Sequence, residues 1–199
     1  MILKSEKMKR HSVDIQHTAL DLSHRGLNIK AIIEIWRGHS PNIGDHLETL
    51  KLGFNNICDE GMPFLSLFLK SNFSLRCLDL SFNNIGDIGI ACLSECLKTN
   101  RSIETLLLSG NFITAKGFLS LKEALLVNST ITTLHLGGNG AHAQGCKYLS
   151  EAMEVNRSLR VLVLNGNVAG EDGASCIARG FTSSKALKHL NLVPSPKAL

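Results

Sequence analysis

The chain has 199 residues, 44% of them hydrophobic and 19% charged, with a formal net charge of +4. That is enough length and apolar content for one continuous, elongated core, and there is no apolar run of about 18 residues, so no membrane span is expected. The start, Met1-Ile-Leu-Lys-Ser-Glu-Lys-Met-Lys-Arg10, carries charge without an apolar stretch behind it, so it does not read as a secretory signal and a cytoplasmic chain is expected.

Residues 1–17 read as an N-terminal extension. Lys4, Lys7, Lys9 and Arg10 form the one basic cluster of the sequence, without interleaved aromatic residues, so no nucleic-acid partner is expected. Residues 18–199 read as a single domain. Its first unit, 18–46, is atypical: Thr18-Ala-Leu20-Asp-Leu22 is followed by a short helix, Ile29 to Trp36, and a loop over 39–44. Trp36 is expected to cover this end of the core.

From Leu47 the chain enters a strict register. Leu47-Glu-Thr-Leu50-Lys-Leu52-Gly-Phe-Asn55 recurs every 28 residues, with Asn83, Asn111, Asn139 and Asn167 in the place of Asn55. Arg25 and Ser195 hold that place in the first and last copies. Gly61, Gly89, Gly117, Gly145 and Gly173 fall six residues after each asparagine, and Leu65, Leu93, Leu121, Leu149 and Ile177 four residues later. Leu69, Leu97, Leu125, Met153 and Phe181 complete a row at helical spacing. Each unit therefore predicts strand, asparagine turn, helix and return loop. Regular units fill 47–186, and 187–199 is an incomplete last copy. That copy has a strand but no helix behind it, which leaves an open end for packing against a partner, with Pro194 and Pro196 stopping further strand pairing.

A 28-residue unit with a full helix per turn resembles the leucine-rich repeat, specifically its ribonuclease-inhibitor-like subclass, over about residues 18 to 195. The resemblance implies an α/β solenoid, a curved horseshoe of about seven strands. Parallel β-strands would line its concave face and α-helices its convex face. Ribonuclease inhibitors, Ran GTPase activators, sensing arms of intracellular nucleotide-binding receptors, tropomodulins and several ciliary proteins share this pattern. It therefore implies a non-catalytic scaffold or adaptor binding a protein partner, cytoplasmic, cytoskeletal or ciliary, with no cofactor. A small-GTPase regulator and a receptor sensing arm are the alternatives. The acidic C-terminal tail of the Ran activators is missing, and the basic net charge disfavours the basic ribonucleases as partners.

The repeat itself explains several motifs. The asparagines are expected to satisfy backbone groups inside the stack. Asn72, Asn100, Asn128 and Asn156 each begin an N-glycosylation triplet, but their shared phase just past a helix reads as left-handed capping. Asp59, Glu60, Asp87, Glu171 and Asp172 at helix starts read as surface charge suited to the helix dipole. Six cysteines without metal-ligand spacing read as reduced thiols.

Chemistry would have to lie on the strand face, where one outward residue per unit builds each column. One column runs Asp21, Lys51, Asp79, Leu107, His135, Val163, Asn191, and its neighbour Ala19, Thr49, Cys77, Thr105, Thr133, Val161, His189. Asp21, Lys51 and Asp79 alternate in sign and are expected to pair. Cys77 has no histidine beside it to activate it, and His135 and His189 stand two strands, about 10 Å, apart, too far to share a metal. No catalytic or metal site is assigned. Leu107, Val161 and Val163 are apolar on an outward face, with Thr105, Thr133 and His135 around them, and are expected to centre a protein contact. Phe54 and Phe82, at one place in consecutive units, form a second candidate contact at the strand-exit rim.

Overall fold

The computed structural model describes residues 18–38, 46–167 and 169–192, with residues 35–38 described for their backbone alone. The expectations for Lys4, Lys7, Lys9, Arg10, the 39–44 loop, Pro194, Ser195 and Pro196 lie outside these residues, and the one for Trp36 concerns a side chain outside the description. Seven strands are described: β1 (Ala19–Asp21), β2 (Thr49–Lys51), β3 (Cys77–Asp79), β4 (Thr105–Leu107), β5 (Thr133–His135), β6 (Val161–Val163) and β7 (His189–Asn191). Alternating with them are α1 (Ile29–Gly38), α2 (Cys58–Ser71), α3 (Asp87–Leu97), α4 (Ala115–Val127), α5 (His142–Val155) and α6 (Gly170–Ser183). The strands form one parallel sheet in chain order, in unbroken register.

Each strand is short because only its central leucine and the leucine two residues on need to face inward. Leu50, Leu78, Leu106, Leu134 and Leu162, with Leu52, Leu80, Leu108, Leu136 and Leu164, are buried against Leu65, Leu93, Leu121 and Leu149 of the helices. No unit could bury that surface alone; stacking joins the rows into one core. Helices about 10 Å across stack less closely than strands about 4.8 Å apart, which turns the sheet to the inner side of the bend. The repeat glycine permits the helix spacing: a Cβ on Gly89 would lie 2.8 Å from Met62 Cγ and 2.9 Å from Ile85 Cγ2. Phe181 departs from its row and is 37% exposed, because α6 is the outermost described helix and that side of its stripe has no described neighbour.

The asparagines form the expected ladder. Asn111 Nδ2 donates to Leu80 O and Leu108 O, both at 3.0 Å, while its Oδ1 accepts from Asn83 N and Ile85 N, also at 3.0 Å. Asn55, Asn83, Asn139 and Asn167 make the same kind of bridge between a unit and its predecessor.

A second asparagine ladder runs along the opposite side. Asn128 Nδ2 donates to Leu97 O at 2.8 Å and its Oδ1 accepts from Thr130 N and Ile131 N; Asn156 repeats this with Leu125 O, Ser158 N and Leu159 N. The expectation of left-handed capping is therefore corrected. Asn72, Asn128 and Asn156 have extended backbone, with φ of −96°, −77° and −61°, and act through their side chains. The hydroxyls of Ser102, Thr130 and Ser158 bond the same asparagine oxygens, so in these units the triplet that resembles a glycosylation signal closes the turn. All four asparagines are buried.

Candidate functional site

The sheet presents its two outward columns as the register requires: Asp79, Leu107, His135 and Val163 stand side by side on β3 to β6, as do Cys77, Thr105, Thr133 and Val161. All eight are partly buried, whereas Lys51 is exposed. The alternating charges pair only in part. Lys51 Nζ lies 3.6 Å from Asp21 Oδ2, an exposed pair of small energetic weight. Asp79 instead accepts the Ser81 N–H at 2.8 Å, and its carboxylate lies over Gly53. Asp21 likewise accepts the Ser23 N–H. Burial acts to raise the Asp21 pKa, but the bonds from Ser23 and the charge of Lys51 outweigh it and hold the carboxyl below its ordinary value.

Burial is the main influence on the titrating groups in the middle of the sheet. Burial, followed by the charge of Asp79, pushes the Cys77 thiol up, with Lys51 opposing. A thiol held protonated is a poor nucleophile. Burial lowers the His135 pKa against the opposing pull of Asp79. Burial pushes Cys96 and Cys146 up to about 11, and all six cysteines are free. Among the described residues no group of three or more His, Cys, Asp or Glu side chains could hold a metal ion, and no helix is long and apolar enough to cross a membrane.

Larger apolar exposure occurs at the strand-exit rim. The residue before each ladder asparagine has a left-handed backbone: φ is 57° at Phe54 and 55° at Phe82, then 67°, 65° and 73° at Gly110, Gly138 and Gly166. His24 occupies the matching turn of the first unit with φ of 57°. This conformation costs an L residue about 1–2 kcal/mol and a glycine almost nothing. The three aromatic rings stack, His24 on Phe54 at 4.1 Å between centroids and Phe54 on Phe82 at 4.3 Å, and the Phe82 ring overlies Gly110. Two stacked pairs at about 0.5–1.5 kcal/mol each offset only part of the strain of the three left-handed residues, so the stack leaves little net stabilisation. Phe54 and Phe82 each remain 47% exposed; Ile88, at the start of α3, is 77% exposed, and Phe112, two residues past the Gly110 that the Phe82 ring overlies, is 67% exposed.

Ile88 and Phe112 are rim residues that sequence reasoning missed, because neither stands in a strand column. The signal for the strained turn was present: one place in the unit reads Phe, Phe, Gly, Gly, Gly, and glycine alternating with a bulky residue there marks a left-handed backbone.

The helix starts differ from expectation as well. Asp59 and Asp87 do more than suit the dipole of their own helices: each caps the next one. Asp59 Oδ1 accepts from Gly86 N at 2.6 Å and Gly89 N at 3.0 Å, and Asp87 Oδ1 from Thr114 N at 2.8 Å and Gly117 N at 2.9 Å.

An α/β solenoid with inward leucines and an asparagine ladder defines a class, and comparison with known proteins agrees. The family description "Leucine Rich repeat" matches residues 46–66, 71–94, 127–150 and 155–178. The chain is a leucine-rich repeat protein. Comparison with curated protein sequences gives no match. Among solved structures, the chain is similar to the one titled leiomodin-1 Actin-Binding Site 2, with 21% identity and a TM-score of 0.56, over 77% of this chain and 90% of that one. It is also similar to the tropomodulin C-terminal domain of Caenorhabditis elegans, with 15% identity and a TM-score of 0.55, over 92% of this chain and 93% of that one. At these identities the likeness is one of fold.

Proposed function

We propose that this chain is a non-catalytic scaffold that binds a protein partner through its strand face and the adjoining loops. The observation that carries this reading is the run of outward side chains on β4 to β6. Leu107, Val161 and Val163 stand on a face where charged or polar residues would serve stability equally well. The flanking Thr105, Thr133 and His135 supply hydrogen-bonding groups around that apolar centre, and the His135 imidazole, its pKa lowered by burial, is neutral at physiological pH.

The 28-residue unit with a full helix supports the ribonuclease-inhibitor-like subclass. A cytoskeletal setting is supported by the two structural neighbours, one of which is an actin-binding site of leiomodin-1. Actin filaments are therefore the first partner to test. In co-sedimentation with filaments, Leu107→Asp combined with Val163→Asp should weaken binding about tenfold or more, the loss expected when the centre of an interface is charged. Circular dichroism should show the fold retained. Unchanged binding by the double variant would remove the strand-face patch from the account.

A further inference from the structure

The fold gathers a basic cluster that the sequence spreads over two units. Where the chain returns from helix to strand, the residue two before each central leucine forms a further column, Glu48, Arg76, Glu104, Thr132, Arg160 and Lys188. It is a ladder in its own right, for the N–H of each residue from Arg76 onward donates to the carbonyl of its predecessor at 2.8 Å. In its first half the signs alternate, and Arg76 Nη1 lies 3.6 Å from Glu104 Oε1. In its last two places the signs are alike. Arg160 and Lys188 are both exposed and stand on neighbouring rungs about 4.8 Å apart. Like charges on adjoining strands oppose the stacking, so stability does not account for this pair.

Arg157 and Lys185 share another place three residues earlier and are exposed as well. Arg157 Nη1 donates to Glu154 O at 3.0 Å, which holds the guanidinium against its loop. The four cations thus form a square on the order of 10 Å across on two successive return loops. Arg160 and Lys188 stand five residues past the ends of α5 and α6, outside the last turn, where a cation complements the helix dipole. Counter-charge is scarce. The chain has no Asp or Glu between Glu154 and Glu171 or after Asp172, and Glu171 and Asp172 lie at the start of α6, about 20 Å from its end. Glu104 is engaged with Arg76, and Glu151 with Lys122 at 2.9 Å. Among the described residues no carboxylate pairs with Arg160, Lys185 or Lys188. Four cations against Glu154 leave a local charge of +3 on a chain whose total is +4.

The layout of this charge selects the occupant. The preceding return loop, Val127 to Thr133, has no Lys, Arg, Asp or Glu, so the square offers no continuous track to a nucleic-acid backbone. No Phe, Tyr or Trp lies in either loop, 155–161 or 183–189, to stack a base. An extended peptide places the side chains of one face about 7 Å apart, so two successive carboxylates on that face span the square. Arg160 directly precedes Val161, which joins the square to the apolar centre of the strand face. We infer that Arg157, Arg160, Lys185 and Lys188 bind an acidic segment of a protein partner, whose carboxylates supply the counter-ions that the chain withholds from Arg160 and Lys188. The inference rests on the reading of the chain as a binding scaffold and gives the partner its charge.

The test uses the full chain, a fluorescein-labelled twelve-residue peptide alternating Glu and Ser, and its counterpart with Lys in place of Glu. Anisotropy should show saturable binding of the acidic peptide that weakens as salt is raised, and binding of the basic peptide at least about tenfold weaker. Arg160→Glu with Lys188→Glu should weaken the acidic peptide about tenfold or more, with circular dichroism unchanged. Lys116→Glu with Lys147→Glu makes the same change in net charge at exposed residues away from the square and should bind as the parent does. Lys188→Glu alone recreates the arrangement of Arg76 and Glu104 beside Arg160, so it should melt no lower than the parent while binding the peptide more weakly. Leu107→Ser with Val163→Ser should leave peptide binding intact, which separates failure of this site from failure of the strand-face reading. No binding, equal binding of the basic peptide, an equal loss in the Lys116 and Lys147 variant, or a Lys188→Glu variant that melts below the parent would each overturn the assignment. So would tighter binding of a twelve-nucleotide oligothymidine or of phosphatidylserine vesicles than of the acidic peptide, because the occupant would then be a nucleic acid or a lipid surface.

Discussion

The third and fourth helices and the fifth and sixth occupy the same place in the repeat, but they start differently. At α3 and α4 the residue three after the ladder asparagine is extended, with φ of −102° at Gly86 and −98° at Thr114, and an aspartate of the preceding unit holds its N–H. At α5 and α6 the same residue is left-handed, with φ of 48° at His142 and 63° at Gly170. There the aspartate is replaced by Ala115 and Ala143, and the repeat glycines Gly145 and Gly173 bond instead to Ala141 O and Ala169 O, within their own segments. The lesson is that helix entry is decided one unit upstream. A carboxylate satisfies two orphan N–H groups of the next helix. Without it that residue turns left-handed, and the N–H of the repeat glycine bonds a carbonyl of its own segment. The start of α2 agrees, since Cys58 also has a positive φ, of 54°, and the first unit carries no such cap.

Breaking what the two regions share should cost most. Asn111→Ala would leave Asn83 N, Ile85 N and Leu80 O without their partner inside the stack, while Leu108 O would keep its bond from Asn139 Nδ2. The expected loss is about 3 kcal/mol, measured by urea denaturation. A loss below about 1 kcal/mol would mean that the ladder is dispensable.

The comparison itself can be inverted by substitution at the capping place. Asp87→Ala should destabilise the chain by about 1–2 kcal/mol and move the start of α4 toward the left-handed form. Ala115→Asp should do the reverse, stabilising by about 1 kcal/mol and bringing His142 to an extended φ. Crystal structures of the two variants with matched melts would check both, and an Ala115→Asp variant with His142 unchanged would contradict upstream control.

A smaller effect concerns pH. The folded pKa of His135 lies below its ordinary value of 6.5, chiefly through burial, so the unfolded chain binds a proton more readily. This contribution to stability is fully present above pH 6.5 and is lost as pH falls through the lower folded value. His135→Gln should flatten that part of the stability profile, as followed by thermal melts across the range.

Much of this architecture was legible because it is written in local periodicity. The leucine and asparagine spacing placed all seven strands, the helix rows and the columns that bring Leu107, His135 and Val163 together. What escaped depends on contacts between units. Asp59 acts on Gly86 and Gly89, 27 and 30 residues away, and nothing in its own helix announces this. Asn72, Asn100, Asn128 and Asn156 share one repeat phase, which backbone caps and a side-chain ladder produce alike, so the sequence does not tell the two apart. Ile88 and Phe112 were passed over because exposure at a rim follows from where loops leave the stack, which a strand-column argument does not reach.

The central claim is that the informative surface is the one whose residues the fold does not need, and the rim phenylalanines test it directly. The melting temperature of Phe54→Gly with Phe82→Gly should equal or exceed that of the parent, since relief of strain offsets the lost stacking. A fall of several degrees would show that the stack holds the solenoid together and would contradict the account.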